Sequence, residues 1–60
     1  MELYELVMLV NDNTVVEIYD AESGEPIGCY DGKDSIPEEL DERNVSDVFV
    51  DQNKLCIEIV

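Results

Sequence analysis

The sequence contains no histidine and no tryptophan, and it has only three basic residues against sixteen acidic ones. Without histidine, the chain lacks the side chain that most often acts as a general base or a metal ligand near neutral pH. It also lacks an apolar run of about 18 residues, so we expect no membrane-spanning helix. The first ten residues have no basic start, and we therefore expect no secretory leader.

The sequence predicts that a folded domain carries the negative charge. The 60 residues have a formal net charge of −13, yet 45% of them are hydrophobic, which is ordinary for a globular protein and too high for a disordered acidic tail. A chain of this length forms one domain, residues 1–60, with a small core. Because its carboxylates repel one another, we expect a partner, a second copy or salt to stabilise it. Direct binding to nucleic acid is not expected, since the phosphates would repel the protein.

Cysteine is scarce as well, with only Cys29 and Cys56 present. One disulfide is an open alternative, but without a secretion signal we favour two reduced thiols that behave as small apolar side chains. Neither thiol has a histidine to activate it, and the surrounding carboxylates disfavour a thiolate. We therefore predict no nucleophilic catalysis.

The chain begins with a helical pattern. Four apolar residues within residues 2–10 recur at the spacing of an amphipathic helix: Leu3, Leu6, Val7 and Val10. A strand is the rival interpretation, because the run is short and contains β-branched residues. We favour the helix.

Residues 14–20 form the first strand pattern. A second helical pattern and three further strand patterns follow it along the chain. Turn residues around Gly24 connect the first strand to residues 27–30, so residues 14–31 predict a β-hairpin. Ser35 followed three residues later by glutamate, with proline between them, predicts a helix over residues 36–42. The remaining strands are predicted over residues 45–50 and 55–60, as a second hairpin.

The order αββαββ predicts an α+β fold with a four-stranded, mainly antiparallel sheet and two short helices packed on one face. Alternation assigns these residues to the helix-facing side: Val16, Ile18, Val48, Val50, Leu55, Ile57 and Ile59. The opposite side then carries Val15, Glu17, Tyr19, Tyr30, Phe49, Cys56, Glu58 and Val60. Aromatic side chains among polar ones are typical of an interface, which makes Tyr19, Tyr30 and Phe49 a candidate contact surface. Strand propensity alone is the alternative explanation for these three residues.

Three chemical motifs are considered and rejected. Residues 20–31 superficially resemble a calcium-binding loop, but the position that requires glycine holds Glu25. Neighbouring carboxylates such as Glu38 and Glu39 are expected by chance in so acidic a chain, and a small domain hardly builds the cleft that carboxylate catalysis needs. The glycines lack the Gly-Lys-Ser/Thr ending of a phosphate-binding loop. We therefore predict no enzyme, no metal and no cofactor.

The acidic residues are the second candidate surface. They concentrate along the first hairpin and the second predicted helix, and we select Glu17, Asp20, Glu22, Glu38, Glu39, Asp41 and Glu42. A solvated surface that keeps a small protein soluble is one explanation. The other is DNA mimicry, in which carboxylates held on a rigid fold occupy a basic groove made for nucleic acid.

The chain also resembles a known group of proteins. The initial helix, the Asn-Thr step into a strand ending in Tyr-Asp, the Ile-Pro-Glu-Glu segment and the final hairpin ending LCIEIV resemble small acidic proteins encoded by phages and mobile elements of Gram-positive bacteria. Most such proteins have no assigned role. The size and charge are also similar to those of anti-CRISPR proteins that act as DNA mimics, a likeness of composition that implies no particular residue.

These observations predict a non-enzymatic, phage-encoded inhibitor, such as an anti-CRISPR protein, that works in the host cytoplasm. It would bind a basic, nucleic-acid-binding surface of a host protein through the acidic residues. The alternative is a structural or assembly module that self-associates, as a homodimer for example, through Tyr19, Tyr30 and Phe49.

Overall fold

The computed structural model describes all 60 residues and has an α+β architecture, as the sequence predicts. Four strands form one sheet, accompanied by one short α-helix and two single turns of 3₁₀ helix. In chain order the elements are α1 (Leu3–Val7), β1 (Val15–Asp20), β2 (Pro26–Asp31), 3₁₀ turns at Lys33–Ser35 and Glu38–Leu40, β3 (Val45–Asp51) and β4 (Lys54–Ile59).

The sheet is mixed, with strand order β2-β1-β4-β3. Each predicted hairpin forms, with β1 antiparallel to β2 and β3 antiparallel to β4. The two hairpins meet through β1 and β4, which run parallel. Parallel neighbours require a crossover of about a dozen residues or more. The stretch that carries both 3₁₀ turns, between β2 and β3, supplies this length.

The N-terminal segment is a helix rather than a strand, but a shorter one than residues 2–10. The main-chain N–H of Glu2 donates to Glu5 Oε1 at 2.9 Å, which satisfies one donor at the helix start. After Val7 the helix ends in the tighter 3₁₀ pattern of hydrogen bonds. The amide of Val10 donates to the Val7 carbonyl, three residues back. Leu3 is fully buried, and the remaining members of the predicted stripe pack against the core.

The helix predicted over residues 36–42 does not form, and that range contains only the single 3₁₀ turn Glu38–Leu40. Ile36 is extended (φ −73°, ψ 128°), and so is Pro37 (φ −60°, ψ 137°). Because the ring of a proline disfavours helical geometry in the residue before it, the helix cannot begin at Ile36. Ser35 belongs to the first turn and makes no capping hydrogen bond, but Ile36 and Leu40 still point inward, as predicted.

The turns of the two hairpins differ. Gln52 and Asn53 both have positive φ, 51° and 64°, as a two-residue turn of the mirror-image type requires. In the first hairpin, Gly24 supplies the positive φ (76°), and a bulge interrupts the register between Ile18 and Tyr19. The second hairpin is therefore tight at its turn, whereas the first is irregular there.

The core lies on one face of the sheet. Val16 and Ile18 from β1 and Ile57 and Ile59 from β4 have no exposed surface. Residues outside the sheet add three more side chains to the same cluster: Leu3, Ile36 and Leu40. The two central strands thus provide most of the core, and β2 and β3 remain at the edges.

Candidate functional site

The face of the sheet that points away from the core cluster is called the outer face. The register aligns one row of side chains across it, in the order Cys29, Glu17, Cys56 and Phe49. Tyr19 lies one step along β1, on the same side as Glu17, because side chains two residues apart share a face. The predicted outer positions of Glu17, Tyr19, Cys56 and Phe49 are confirmed.

The prediction that Tyr30 belongs to this face is wrong. Tyr30 is the cross-strand partner of Val16, so its side chain points to the core side, where it packs against the cluster. Its ring lies over Gly28, and an added Cβ there would be 2.5 Å from the Tyr30 hydroxyl oxygen. A shift of one residue in strand register moves every side chain of the strand to the other face of the sheet. The face of Tyr30 could not be predicted because no local sequence pattern in this short strand fixes its register. Gly28 was the signal available, since a glycine in a strand often marks a close approach.

Tyr19 and Phe49 form a small cluster with charged neighbours on the outer face. Their ring centroids are 6.2 Å apart with planes tilted by 31°. The Tyr19 hydroxyl donates to Glu17 Oε1 at 2.6 Å, and Lys54 Nζ lies 4.0 Å from the same oxygen. The hydrogen bond to Glu17 raises the pKa of Tyr19 to about 12, with smaller contributions from burial and from the negative charge of Glu17.

Cys56 lies in the same row and is fully buried, whereas Cys29 is exposed. Burial raises the pKa of the Cys56 thiol, and the carboxylates of Glu17 and Asp51 act in the same direction. The two cysteines are separated by β1, so their Cα atoms lie two strand spacings apart, roughly 10 Å. A disulfide cannot bridge more than about 7 Å. The disulfide alternative is therefore excluded, and both thiols are free.

Two of the selected acidic residues already have partners within the fold. Glu17 is half-buried between Tyr19 and Lys54. Asp20 Oδ1 accepts the main-chain N–H of Glu22 at 2.9 Å and so stabilises the turn that follows β1. These two carboxylates support the fold more directly than they present charge to a partner.

The remaining selected acids lie in two places. Glu22 is exposed in the turn between β1 and β2. The others belong to or follow the second 3₁₀ turn: Glu38, Glu39 and Glu42 are exposed, and Asp41 is half-buried. Because this segment packs through Leu40 on the core side of the sheet, it lies opposite the face that bears Glu17. The structure therefore divides the selected acids rather than forming one continuous surface.

All three cations of the protein have partners. Lys33 Nζ lies 3.2 Å from Asp12 Oδ1, and Lys54 Nζ lies 4.0 Å from Glu17 Oε1. Arg43 Nε donates to the main-chain oxygen of Val60 at 3.2 Å. No other ion pair is formed, so most carboxylates on the surface have no cation beside them.

One shallow depression of about 290 Å³ lies between α1 and residues 33–42, which are called the 3₁₀ segment. Sequence reasoning did not identify it, because its walls come from separate parts of the chain. The lining residues are Tyr4, Val7, Met8, Lys33, Asp34, Ile36 and Asp41. Its volume is at the low end for small-molecule sites, and it is open to solvent. Nowhere do three Cys, Asp or Glu side chains converge in a way that would hold a metal ion.

Comparison with protein-family models, with curated proteins and with solved structures finds no match to this chain. None of its helices has the length and apolar character needed to cross a membrane.

Proposed function

We propose that this protein is a small acidic, non-enzymatic inhibitor that binds a basic, nucleic-acid-binding surface of another protein by imitating the charge of DNA. The resemblance to small acidic proteins of phages favours a host protein as the target, as for an anti-CRISPR protein acting in the host cytoplasm. The observation that carries the proposal is the density of unopposed negative charge on a rigid fold.

This charge density approaches that of DNA. The longest dimension of the Cα trace is 27 Å for 13 net negative charges, or about 2 Å per charge. Double-stranded DNA carries one charge per roughly 1.7 Å of its axis. The three cations are already subtracted in this net charge, and each has a partner within the fold. The field of this net charge accelerates the encounter with a basic surface and makes binding sensitive to salt.

The exposed acids of the 3₁₀ segment are the proposed contact. Glu38, Glu39 and Glu42 are exposed on one short stretch, and their carboxylates form no ion pair within the protein. Asp41 lies beside them, and Glu22 adds a further exposed carboxylate at the first hairpin turn. Glu17 and Asp20 are left out of this contact because their carboxylates already serve the fold.

The test is competition with DNA. DNA-binding proteins from a bacterial extract, collected on a DNA matrix, are passed over the immobilised protein at about 50 mM salt and then eluted with duplex DNA. A mimic should capture proteins that duplex DNA releases, and their binding should weaken steeply as the salt rises to about 200 mM. Captured proteins that remain bound in excess duplex DNA, or that ignore the change in salt, would contradict mimicry.

A pair of charge-matched variants separates a defined surface from total charge. Glu38→Gln/Glu39→Gln/Glu42→Gln removes three charges from the proposed contact, whereas Glu25→Gln/Asp31→Asn/Asp34→Asn removes three exposed charges elsewhere. We expect the first variant to lose about tenfold or more in affinity, as three charged contacts warrant, and the second to lose less. Equal losses would show that only net charge matters.

A further inference from the structure

The free edge of β3 is a second place where a partner can bind. The N-terminus covers only the beginning of this edge: Glu2 bridges to Asn44, and the Val45 amide donates to the Met1 carbonyl at 2.8 Å. Nothing covers residues 47–51, which are all exposed. These five residues are called the open edge.

The backbone of the open edge faces outward at alternate residues. The N–H of Val48 donates to Asp47 Oδ1 at 2.9 Å, so this amide points away from β4 and toward the free side. In an antiparallel pair the residues that bond to the neighbour alternate with those that do not. The N–H and C=O of Val50 are therefore also directed outward. An added strand that replaces Asp47 Oδ1 as the acceptor of the Val48 N–H could pair with Val48 and Val50.

The side chains of the open edge form an alternating pattern. Val48 and Val50 lie on the core side of the sheet, by register with Ile57 and Leu55, and are 41% and 73% exposed. Phe49, 39% exposed, lies on the outer face. Asp47 and Asp51 lie on the same face as Phe49, two residues to either side of it.

We propose that the open edge binds an extended segment of a basic partner, which adds to the sheet as a strand beside β3. The segment would place two lysine or arginine side chains, four residues apart, opposite Asp47 and Asp51. Apolar side chains between them would cover Val48 and Val50. Main-chain hydrogen bonds supply affinity in this mode of recognition, and the side-chain pattern supplies specificity. Opposite charges directly across a strand pair are favourable.

A second copy of the chain fits this edge poorly. Antiparallel self-pairing centred on Phe49 would place Asp47 directly opposite Asp51 of the other copy, twice. Like charges in this position are destabilising, and two bodies of charge −13 also repel each other over a longer range. The charge pattern therefore selects a basic partner.

This inference rests on the proposed function only for the sign of the partner's charge, because the open edge is separate from the 3₁₀ segment. Its test uses no DNA. The full chain is titrated with a capped peptide of sequence Ser-Lys-Val-Tyr-Ile-Lys-Ser, whose lysines are four residues apart. One control peptide replaces both lysines with glutamate. The other, Ser-Val-Lys-Tyr-Lys-Ile-Ser, keeps the composition but brings the lysines within two residues, so that they cannot reach both Asp47 and Asp51.

We expect the first peptide to bind about tenfold or more tightly than either control, since two cross-strand charge pairs are gained or lost. Binding should slow the hydrogen exchange of the Val48 and Val50 amides but hardly affect that of Phe49, which already bonds to β4. Val48→Pro removes an outward N–H while leaving the pairing with β4 intact, and proline is tolerated at such edge positions. This variant should remain folded by circular dichroism and lose peptide binding.

Equal binding of the three peptides, or tight binding to a folded Val48→Pro variant, would overturn the inference. So would protection of amides on β2 in place of Val48 and Val50. A dimer of the unmodified protein that Val48→Pro dissociates would assign the edge to a second copy instead. These outcomes are independent of the competition with DNA, which can fail or succeed without affecting them.

Discussion

The two hairpins of the sheet each contribute one buried strand and one edge strand, but they protect their edges differently. On β2 the backbone of the first half of the strand is itself unsuited to further pairing. Pro26 has no N–H, the unpaired residue Ile27 beside it distorts the register, and Gly28 gives the strand little side chain to pack. On β3 the strand is longer and regular from Asp47 to its tight turn, and its protection is the charge of Asp47 and Asp51.

Backbone geometry hinders strand pairing at the β2 edge whatever the approaching strand is. At the β3 edge, the charge of the approaching strand decides whether it can pair. A proline or a bulge blocks pairing whatever approaches. A carboxylate repels an acidic strand but attracts a basic one, and salt screens both effects. In a protein of charge −13, the edge defended by charge is therefore the one that a basic partner can use.

Thiol reactivity should give the largest contrast, because Cys29 lies on the exposed β2 edge and Cys56 lies buried in β4. Near pH 8, Cys29 should react with an aromatic disulfide reagent about 100-fold or more faster than Cys56, whose burial both blocks access and disfavours the thiolate. Absorbance of the released thiolate measures both rates. In urea the two rates should converge. Equal rates in the folded protein would show that the second hairpin does not enclose Cys56.

Tyr19 tests the hydrogen bond that its hydroxyl donates to Glu17, within β1 on the outer face. In a Tyr4→Phe/Tyr30→Phe variant it is the only tyrosine, and its ultraviolet titration should centre near pH 12 rather than near about 10, the value of an unstructured tyrosine. Glu17→Gln removes the charged acceptor and should return the midpoint toward 10.

This shift also fixes the direction of a stability change. The folded protein holds the phenolic proton more tightly than the unfolded chain does, so the stabilisation is fully present below about pH 10 and is lost as the pH rises through 12. Urea unfolding across this range should show the loss in the parent variant and a smaller one with Glu17→Gln. An unchanged midpoint in Glu17→Gln would contradict the role of the hydrogen bond.

Gly28→Val tests the irregular hairpin. The added side chain would meet the Tyr30 ring, and overpacking of this kind costs about 1–3 kcal/mol of the free energy of unfolding. Val50 on β3 is 73% exposed, so Val50→Thr should change the free energy of unfolding by less than about 0.5 kcal/mol. Urea unfolding measures both. If Gly28→Val costs as much in a Tyr30→Ala background, the clash with Tyr30 is not the cause.

Neutralising the open edge should have a modest effect, on self-association. Asp47→Asn/Asp51→Asn removes the repulsion between two copies and should strengthen self-association about tenfold, as measured by sedimentation. Asp31→Asn/Asp34→Asn removes the same charge near the β2 edge and should not. Equal association of both variants would attribute the effect to net charge rather than to the open edge.

Local sequence patterns predicted the features of the fold that depend on residues close together in the chain. Strand and turn patterns identified all four strands, and alternation identified the side of the sheet on which Val16, Ile18 and Ile57 lie. The 3.6-residue period identified the helix that buries Leu3. These features follow from backbone geometry within a single element, and the charge of −13 follows from composition alone.

The tertiary structure decided what depends on contacts between elements. It paired β1 with β4 in parallel, turned Tyr30 to the core side and separated Cys29 from Cys56. It also placed Glu17 on the face opposite the acids around Leu40. Strand order and register are set by turn geometry and by which apolar faces can be buried together, and neither is encoded in the pattern of one strand. For the same reason the sequence supplied the acidic and apolar residues of the open edge, and only the fold placed them where no other strand covers them.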